Sequence, residues 1–257
     1  MPTKNPLHMK TAFITGATSG IGEAIARRLA KEKIRLILCG RRMEVLNTLG
    51  EELAAHTRVM TLAFDQRDAK AVKDAIASLP EAFAQIDILI NNAGNAHGLD
   101  PLASGDIEDW DAMMDSNVKG LLYVSRNIIP AMQAQRSGHI VNISSVAARQ
   151  TYANGVVYCA SKKAVDVISE GMRLELTEFG IKVTNIQPGA VETNFSSVRF
   201  KGDDARAATV YQGYQALTAD DVADAVLYCL QVPAHVTISD LTIYPAAQSE
   251  PRTIHRK

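Results

Sequence analysis

Tyr158 and Lys162 stand four positions apart in Tyr-Cys-Ala-Ser-Lys. On a helix that spacing puts both side chains on one face. A phenol with an ordinary pKa near ~10 is a poor acid or base at neutral pH. An adjacent ammonium favours the phenolate and lowers that value. The pair can therefore pass a proton to or from a bound molecule. YxxxK alone is a frequent chance pattern and also describes a surface helical pair, so its company matters. Ser145 ends the run Val141-Asn-Ile-Ser-Ser145, and Asn117 sits in Asp115-Ser-Asn-Val-Lys-Gly120. Asn91-Asn-Ala-Gly94 and Pro188-Gly-Ala-Val-Glu-Thr193 each follow an apolar run.

A second constellation binds phosphate. The first apolar run leads into Thr15-Gly-Ala-Thr-Ser-Gly-Ile-Gly22, with glycines at Gly16, Gly20 and Gly22. Between a strand and a helix, such glycines permit a tight turn and close backbone approach to a pyrophosphate. The helix start adds unpaired N–H groups and the positive end of its dipole. The next run ends Leu38-Cys-Gly-Arg-Arg42. An acid there would bond a ribose 2′-OH, whereas arginine accommodates a 2′-phosphate. Gly40 repels nothing, and Arg41 and Arg42 offer forked donors, so the expected cofactor is NADP(H) rather than NAD.

These residues need a frame that brings them together. Short apolar runs at 11–15, 34–38, 59–64, 86–90, 139–143, 181–186 and 241–244 predict strands. Helical patterns lie between them at 20–32, 43–55, 68–79, 106–136, 154–179 and 218–231. The alternation predicts βαβ units, a mostly parallel seven-stranded sheet with helices on both faces, and right-handed crossovers. That is a single-domain doubly wound Rossmann fold over 1–257, with tails at 1–9 and 250–257. Ligands bind at the C-terminal strand edge of such sheets, where every motif above falls. The polar segment 194–217 breaks the rhythm and is expected to be a substrate-side loop.

Composition narrows the function classes. The 257 residues are 47% hydrophobic with a net charge of -1, which argues for a packed core and against general nucleic-acid binding. Cys39, Cys159 and Cys229 are too widely spaced for a disulfide framework or a cysteine-rich zinc site. They suit a reducing, cytoplasmic setting. No apolar run approaches a membrane span, and no HxxxH pair suggests a catalytic metal. Asp106 to Asp111 suits a helix N-terminus.

TGATSGIG, NNAG, the Asn of SNVKG, ISS, YCASK and PGAVET occur together and in order. In that set the chain resembles the short-chain dehydrogenase/reductase family over roughly residues 10–245. The resemblance implies oxidoreductase activity and a homo-oligomer, a tetramer above other states. It implies that Tyr158 is the acid/base, that Lys162 holds the nicotinamide ribose and lowers the tyrosine pKa, that Ser145 orients the reacting oxygen, and that Asn117 supports a water-linked proton relay. Gly16, Thr18, Ser19, Gly20, Ile21, Gly22, Asp65, Gln66, Asn92, Gly94, Pro188, Gly189, Val191 and Thr193 match cofactor-lining positions, with Asp65 as the adenine-contacting acid.

Ser197-Val-Arg-Phe-Lys-Gly-Asp203 and Pro233-Ala-His-Val236 further resemble the branch of NADP-dependent 3-hydroxy acid dehydrogenases, which act on serine, allo-threonine, 3-hydroxyisobutyrate or malonic semialdehyde. Two departures touch the substrate side: Pro188 to Phe195 is one residue shorter than in that branch, and Ile143-Ser-Ser145 lacks the glycine that often precedes the serine there. A hydroxy acid brings a carboxylate, and Arg149, Arg199 and Lys201 are the candidate donors. The competing expectations are a 3-oxoacyl or general carbonyl reductase and a non-catalytic NADP-binding regulatory protein.

Overall fold

The computed structural model describes residue 7 and residues 9–257, without the side chain of Asp204. The expected 1–9 tail falls largely outside the described residues. Strands β1 (Thr11–Thr15), β2 (Arg35–Gly40), β3 (Val59–Ala63), β4 (Ile88–Asn91), β5 (Gly138–Ile143), β6 (Ile181–Pro188) and β7 (Asp240–Ile243) form one sheet in the order β3-β2-β1-β4-β5-β6-β7. Every neighbouring pair is parallel. The order reverses beside β1, which opens a crevice at the C-terminal ends of β1 and β4.

Period-two alternation divides the core between the two faces. Ala12, Ile14, Leu36, Leu38, Ile88 and Ile90 point to one side. There they meet α1 (Gly20–Lys31), α2 (Met43–Leu53) and α10 (Ala219–Gln231). Phe13, Ile37, Cys39 and Leu89 point to the other. They meet α3 (Ala69–Ala77), α6 (Leu121–Gln135) and α7 (Val156–Leu176). Burying each large aliphatic side chain contributes about 1.5–3 kcal/mol. A short helix, α4 (Glu81–Ala84), precedes β4.

Helix 106–136 runs as expected but not uniformly. It comprises α5 (Ile107–Met114), a π-helical segment at Asp115–Gly120, and α6. Asp106 caps α5 by accepting from the Glu108 N–H at 3.0 Å. Two expected irregular stretches are ordered instead. The 194–217 segment contains α8 (Phe195–Arg199) and α9 (Asp204–Thr209), and an isolated parallel bridge joins Val191 to Leu217. The C-terminal run folds back as a hairpin of β8 (Gln248–Glu250) and β9 (Thr253–Ile254). Buried Gln248 fixes it by accepting from the Ala190 N–H at 2.8 Å, and the Lys257 N–H donates to Gly213 O at 2.8 Å.

Candidate active site

The cleft at the C-terminal strand edge has a volume of about 840 Å³, within the range of small-molecule sites. Its floor is the glycine turn. Gly16 and Gly20 adopt φ of +66° and +57°, which side-chain-bearing residues avoid. A Cβ on Gly22 would lie 2.3 Å from Gly16 O and 2.4 Å from Asn92 Nδ2. The turn is pinned by Asn92 Nδ2, which donates to Thr15 O (3.0 Å) and Gly16 O (3.2 Å). Ser19, at the N-cap of α1, makes no side-chain capping bond, so the first N–H groups of the helix face the cleft uncapped.

Thr18, Ile21, Arg41, Arg42, Asp65, Gly94, Pro188, Gly189, Val191 and Thr193 line the same cleft. Arg42 Nη2 donates to Thr18 O at 2.9 Å, which ties the end of β2 to the glycine turn. Gln66 lines it too, and both Asp65 and Gln66 have protein partners of their own. Asp65 is already chelated by Arg67, with Nη2–Oδ2 at 2.6 Å, and that guanidinium holds its carboxyl below the ordinary range. Gln66 is a buried strut whose amide donates to Ala93 O (3.1 Å) and Ser116 O (2.8 Å). An uncapped helix start, glycines with left-handed φ and two arginines at the end of β2 fit a dinucleotide bearing a 2′-phosphate.

Beyond the turn stand Ser145, Tyr158 and Lys162, all on the cleft wall. Ser145 follows β5 and caps a 3₁₀ turn by accepting from the Ala147 N–H at 3.1 Å. Tyr158 and Lys162 lie one turn apart on α7, both buried. Lys162 Nζ donates to Ile143 O at 3.0 Å. Asn117 occupies the π segment, a distortion frequent at functional sites. Its Oδ1 accepts from the Asn95 N–H at 2.7 Å, and its Nδ2 donates to Asn95 O (2.8 Å) and Ser161 Oγ (3.0 Å). The side chain thus clamps the loop after β4 to α7.

Burial pushes the Tyr158 phenol well above its ordinary pKa, and Tyr152 beside it adds to the rise. A hydrogen bond with Ser145 and the Arg199 guanidinium hold it down. The Lys162 ammonium donates to the Ile143 carbonyl one helical turn from Tyr158. Burial lowers Lys162 itself to about 8, opposed by Asp166.

The three candidate carboxylate donors separate cleanly. Arg149 is exposed and turns to Gln187 Oε1 (3.2 Å) and Thr242 Oγ1 (3.5 Å), away from the cleft. Lys201 is spent on Asp106 (3.2 Å) and Asp109 (3.0 Å). Arg199 alone reaches the acid/base. Its guanidinium lies 5.5 Å from the Tyr158 ring centre and 5.7 Å from that of Tyr152. Nε donates to Gly98 O (3.1 Å) and Nη1 to the Tyr152 hydroxyl (3.2 Å).

Sequence reasoning missed Arg67, Tyr152, Phe195 and Asp166. The Phe195 ring packs 5.8 Å from that of Tyr158. Arg67 had a local signal, since it follows Asp65 by two positions; Tyr152 and Phe195 had none.

A protein-family model described as short chain dehydrogenase matches residues 10–204. The chain belongs to that family. It is 44% identical over 238 residues to the NADP-dependent 3-hydroxy acid dehydrogenase YdfG of Salmonella typhi, covering 92% of this chain and 95% of that one. It is 38% identical over 251 residues to the NADP-dependent 3-hydroxy acid dehydrogenase of Schizosaccharomyces pombe, covering 96% and 97%. Among solved structures, the closed form of serine dehydrogenase complexed with NADP+ superposes with a TM-score of 0.90 at 42% identity, covering 96% of this chain and all of that one.

Proposed function

We propose that this chain is an NADP-dependent oxidoreductase that moves a hydride between NADP(H) and a small hydroxy acid, a 3-hydroxy acid such as serine, allo-threonine or 3-hydroxyisobutyrate above others. The observation that carries the substrate class is Arg199, a forked cation held over the acid/base ring by Gly98 and Tyr152. The names of the relatives above support the cofactor and the substrate.

In this reading Thr18 to Gly22 receive the pyrophosphate, and Arg41 and Arg42 receive the 2′-phosphate. Lys162 takes the nicotinamide ribose, and Asn92, Gly94 and Pro188 to Thr193 line the rest of that end. NADP(H), when bound, supplies or accepts the hydride. Ser145 orients the substrate oxygen. Tyr158 takes the hydroxyl proton during oxidation and returns it during reduction. Arg199 grips the carboxylate, which fixes the carbinol carbon in one pose. Asn117 keeps the loop and helix on either side of Lys162 in register.

A second enzymatic reading is a 3-oxoacyl or broader carbonyl reductase; it makes no use of Arg199. A binding protein without activity has no need of the Tyr158–Lys162 pair. Absorbance of reduced cofactor separates the three. Serine and 3-hydroxyisobutyrate oxidation with NADP+ supports the proposal. Faster acetoacetyl-thioester reduction favours the second reading, and no turnover with any hydroxy acid, ketoacid or aldehyde favours the third.

We also infer a homo-oligomer, a tetramer above a dimer. Helices α5, α6 and α7 leave large apolar side chains in solvent, including Ile107 (67% exposed) and Leu174 (80%), which a subunit contact would cover. Light scattering that returns one chain's mass contradicts this. No helix among the described residues is long and apolar enough to cross a membrane. Cys39, Cys159 and Cys229 are buried and unpaired, which supports a reducing, cytoplasmic compartment.

A further inference from the structure

Asp166 lies one helical turn beyond Lys162 on α7, four positions after it as Lys162 is after Tyr158. Its side chain is only 14% exposed. Three donors from two strand ends converge on its Oδ1. They are Ser144 Oγ at 2.9 Å, Asn185 Nδ2 at 2.8 Å and Gln187 Nε2 at 3.1 Å. Ser144 Oγ also lies 3.1 Å from the Lys162 carbonyl, so the same hydroxyl meets both residues. The residue before Ser144 supplies the carbonyl that accepts from Lys162 Nζ. Asp166 thus bolts the end of β5, where Lys162 is anchored, to the end of β6 and to α7.

Three neutral donors on one oxygen satisfy a carboxylate that is largely removed from water. The charge is then available to a buried ammonium one turn away. The charged groups around this pair are few. On α7, Lys163 reaches Asp166 at 3.8 Å and is mostly exposed. From β7, Asp240 shares Asn185 with Asp166 at 3.2 Å and is itself paired with Arg173 at 3.3 Å. Arg149 touches Gln187 from the 3₁₀ turn. Toward the cleft stand Tyr158, and beyond it Tyr152 and Arg199.

We propose that Asp166 is a positioning residue of this enzyme: its partly buried carboxylate, gripped by Ser144, Asn185 and Gln187, holds Lys162 against the end of β5 and sets a compensating negative charge one helical turn from the ammonium. The electrostatics of Lys162 agree with this placement, since burial lowers its pKa and the Asp166 carboxylate opposes that shift. The proposal rests on the dehydrogenase reading above, in which Lys162 takes the cofactor ribose as a cation.

The test reads Lys162 directly in the protein without cofactor. Competitive acylation across pH, followed by mass spectrometry of the peptide containing Lys162, gives its half-labelling pH. Asp166→Asn removes the charge and keeps the shape. Its half-labelling pH is expected to fall by about half a unit or more. The alkaline limb of kcat/KM for the most active substrate should fall with it. Asp166→Glu restores the charge and should return both values to within about 0.2 units of the wild type. If Asp166→Asn does not fold, Asp166→Ser serves, since it leaves room for a water to meet the three donors. An unmoved half-labelling pH in the neutral variant, or an equal fall in Asp166→Glu, overturns the proposal. A wild type that labels as described but turns over no substrate contradicts the dehydrogenase reading instead.

Discussion

Replacing Arg199 with Met keeps an unbranched apolar stem over the Tyr158 ring and removes the forked cation. A bidentate arginine–carboxylate contact contributes about 1.5–3 kcal/mol, or roughly 10- to 150-fold in an equilibrium constant. Arg199 is only half-buried, so water screens part of this, and the lower end of about 10- to 30-fold applies. Nε is already given to Gly98 and one Nη1 proton to Tyr152, which leaves Nη2 and the second Nη1 proton for the substrate. KM for serine or 3-hydroxyisobutyrate should therefore rise about 10- to 30-fold. An uncharged alcohol of similar size should change by less than about threefold, because it loses no ionic contact. The kcat for oxidation should fall modestly for both, since Arg199 is one of the groups holding the Tyr158 phenol down. Arg199→Lys keeps the charge but not the fork and should recover only part of the loss. The assay is initial-rate absorbance of reduced cofactor on the two substrate types. An equal KM increase for both would refute a carboxylate contact and leave Arg199 as packing.

Arg41→Ala together with Arg42→Ala should weaken NADP+ binding at least about tenfold and leave NAD+ nearly unchanged, measured by fluorescence titration; parallel losses for both cofactors would contradict the 2′-phosphate assignment. His139 is buried on β5 beside Thr184 Oγ1 at 2.8 Å, and desolvation lowers its pKa from 6.5 to about 3. Because the folded value lies below the unfolded one, its stabilising effect is complete above pH ~6.5 and is lost as pH falls towards ~3. At pH 5 the loss is about 2 kcal/mol. Urea midpoints at pH 7 and pH 5 should show a drop that His139→Gln reduces, and an equal drop in both proteins would exclude His139 as its source.

The sheet could be read from the sequence because its alternation is local: Phe13 between Ala12 and Ile14 already assigns two faces. The glycine turn and the Tyr158–Lys162 pair were legible for the same reason, as each acts within one turn of chain. The substrate end was not. Arg149 stands nearest Ser145 in sequence, but the intervening 3₁₀ turn carries it towards Gln187 and Thr242. Arg199 reaches Tyr158 only because α8 docks on Gly98, about a hundred residues earlier, through a backbone bond of 3.0 Å and a side-chain bond of 3.1 Å. The π segment around Asn117 has no signature of its own among helix-forming neighbours. The C-terminal hairpin depends on Gln248 finding the Ala190 N–H, a contact between distant segments. Asp166 carries no signal in the sequence, because its partners come from two strand ends that only the fold brings onto it.

Tyr158→Phe tests the centre of the account most directly. The change removes one oxygen and little volume from a residue that is 7% exposed. Measured side by side, NADP+ affinity should stay within a few-fold of the wild type while kcat for hydroxy acid oxidation falls at least about 100-fold. A variant that binds NADP+ normally and keeps most of its kcat would show that the proton travels through some other group.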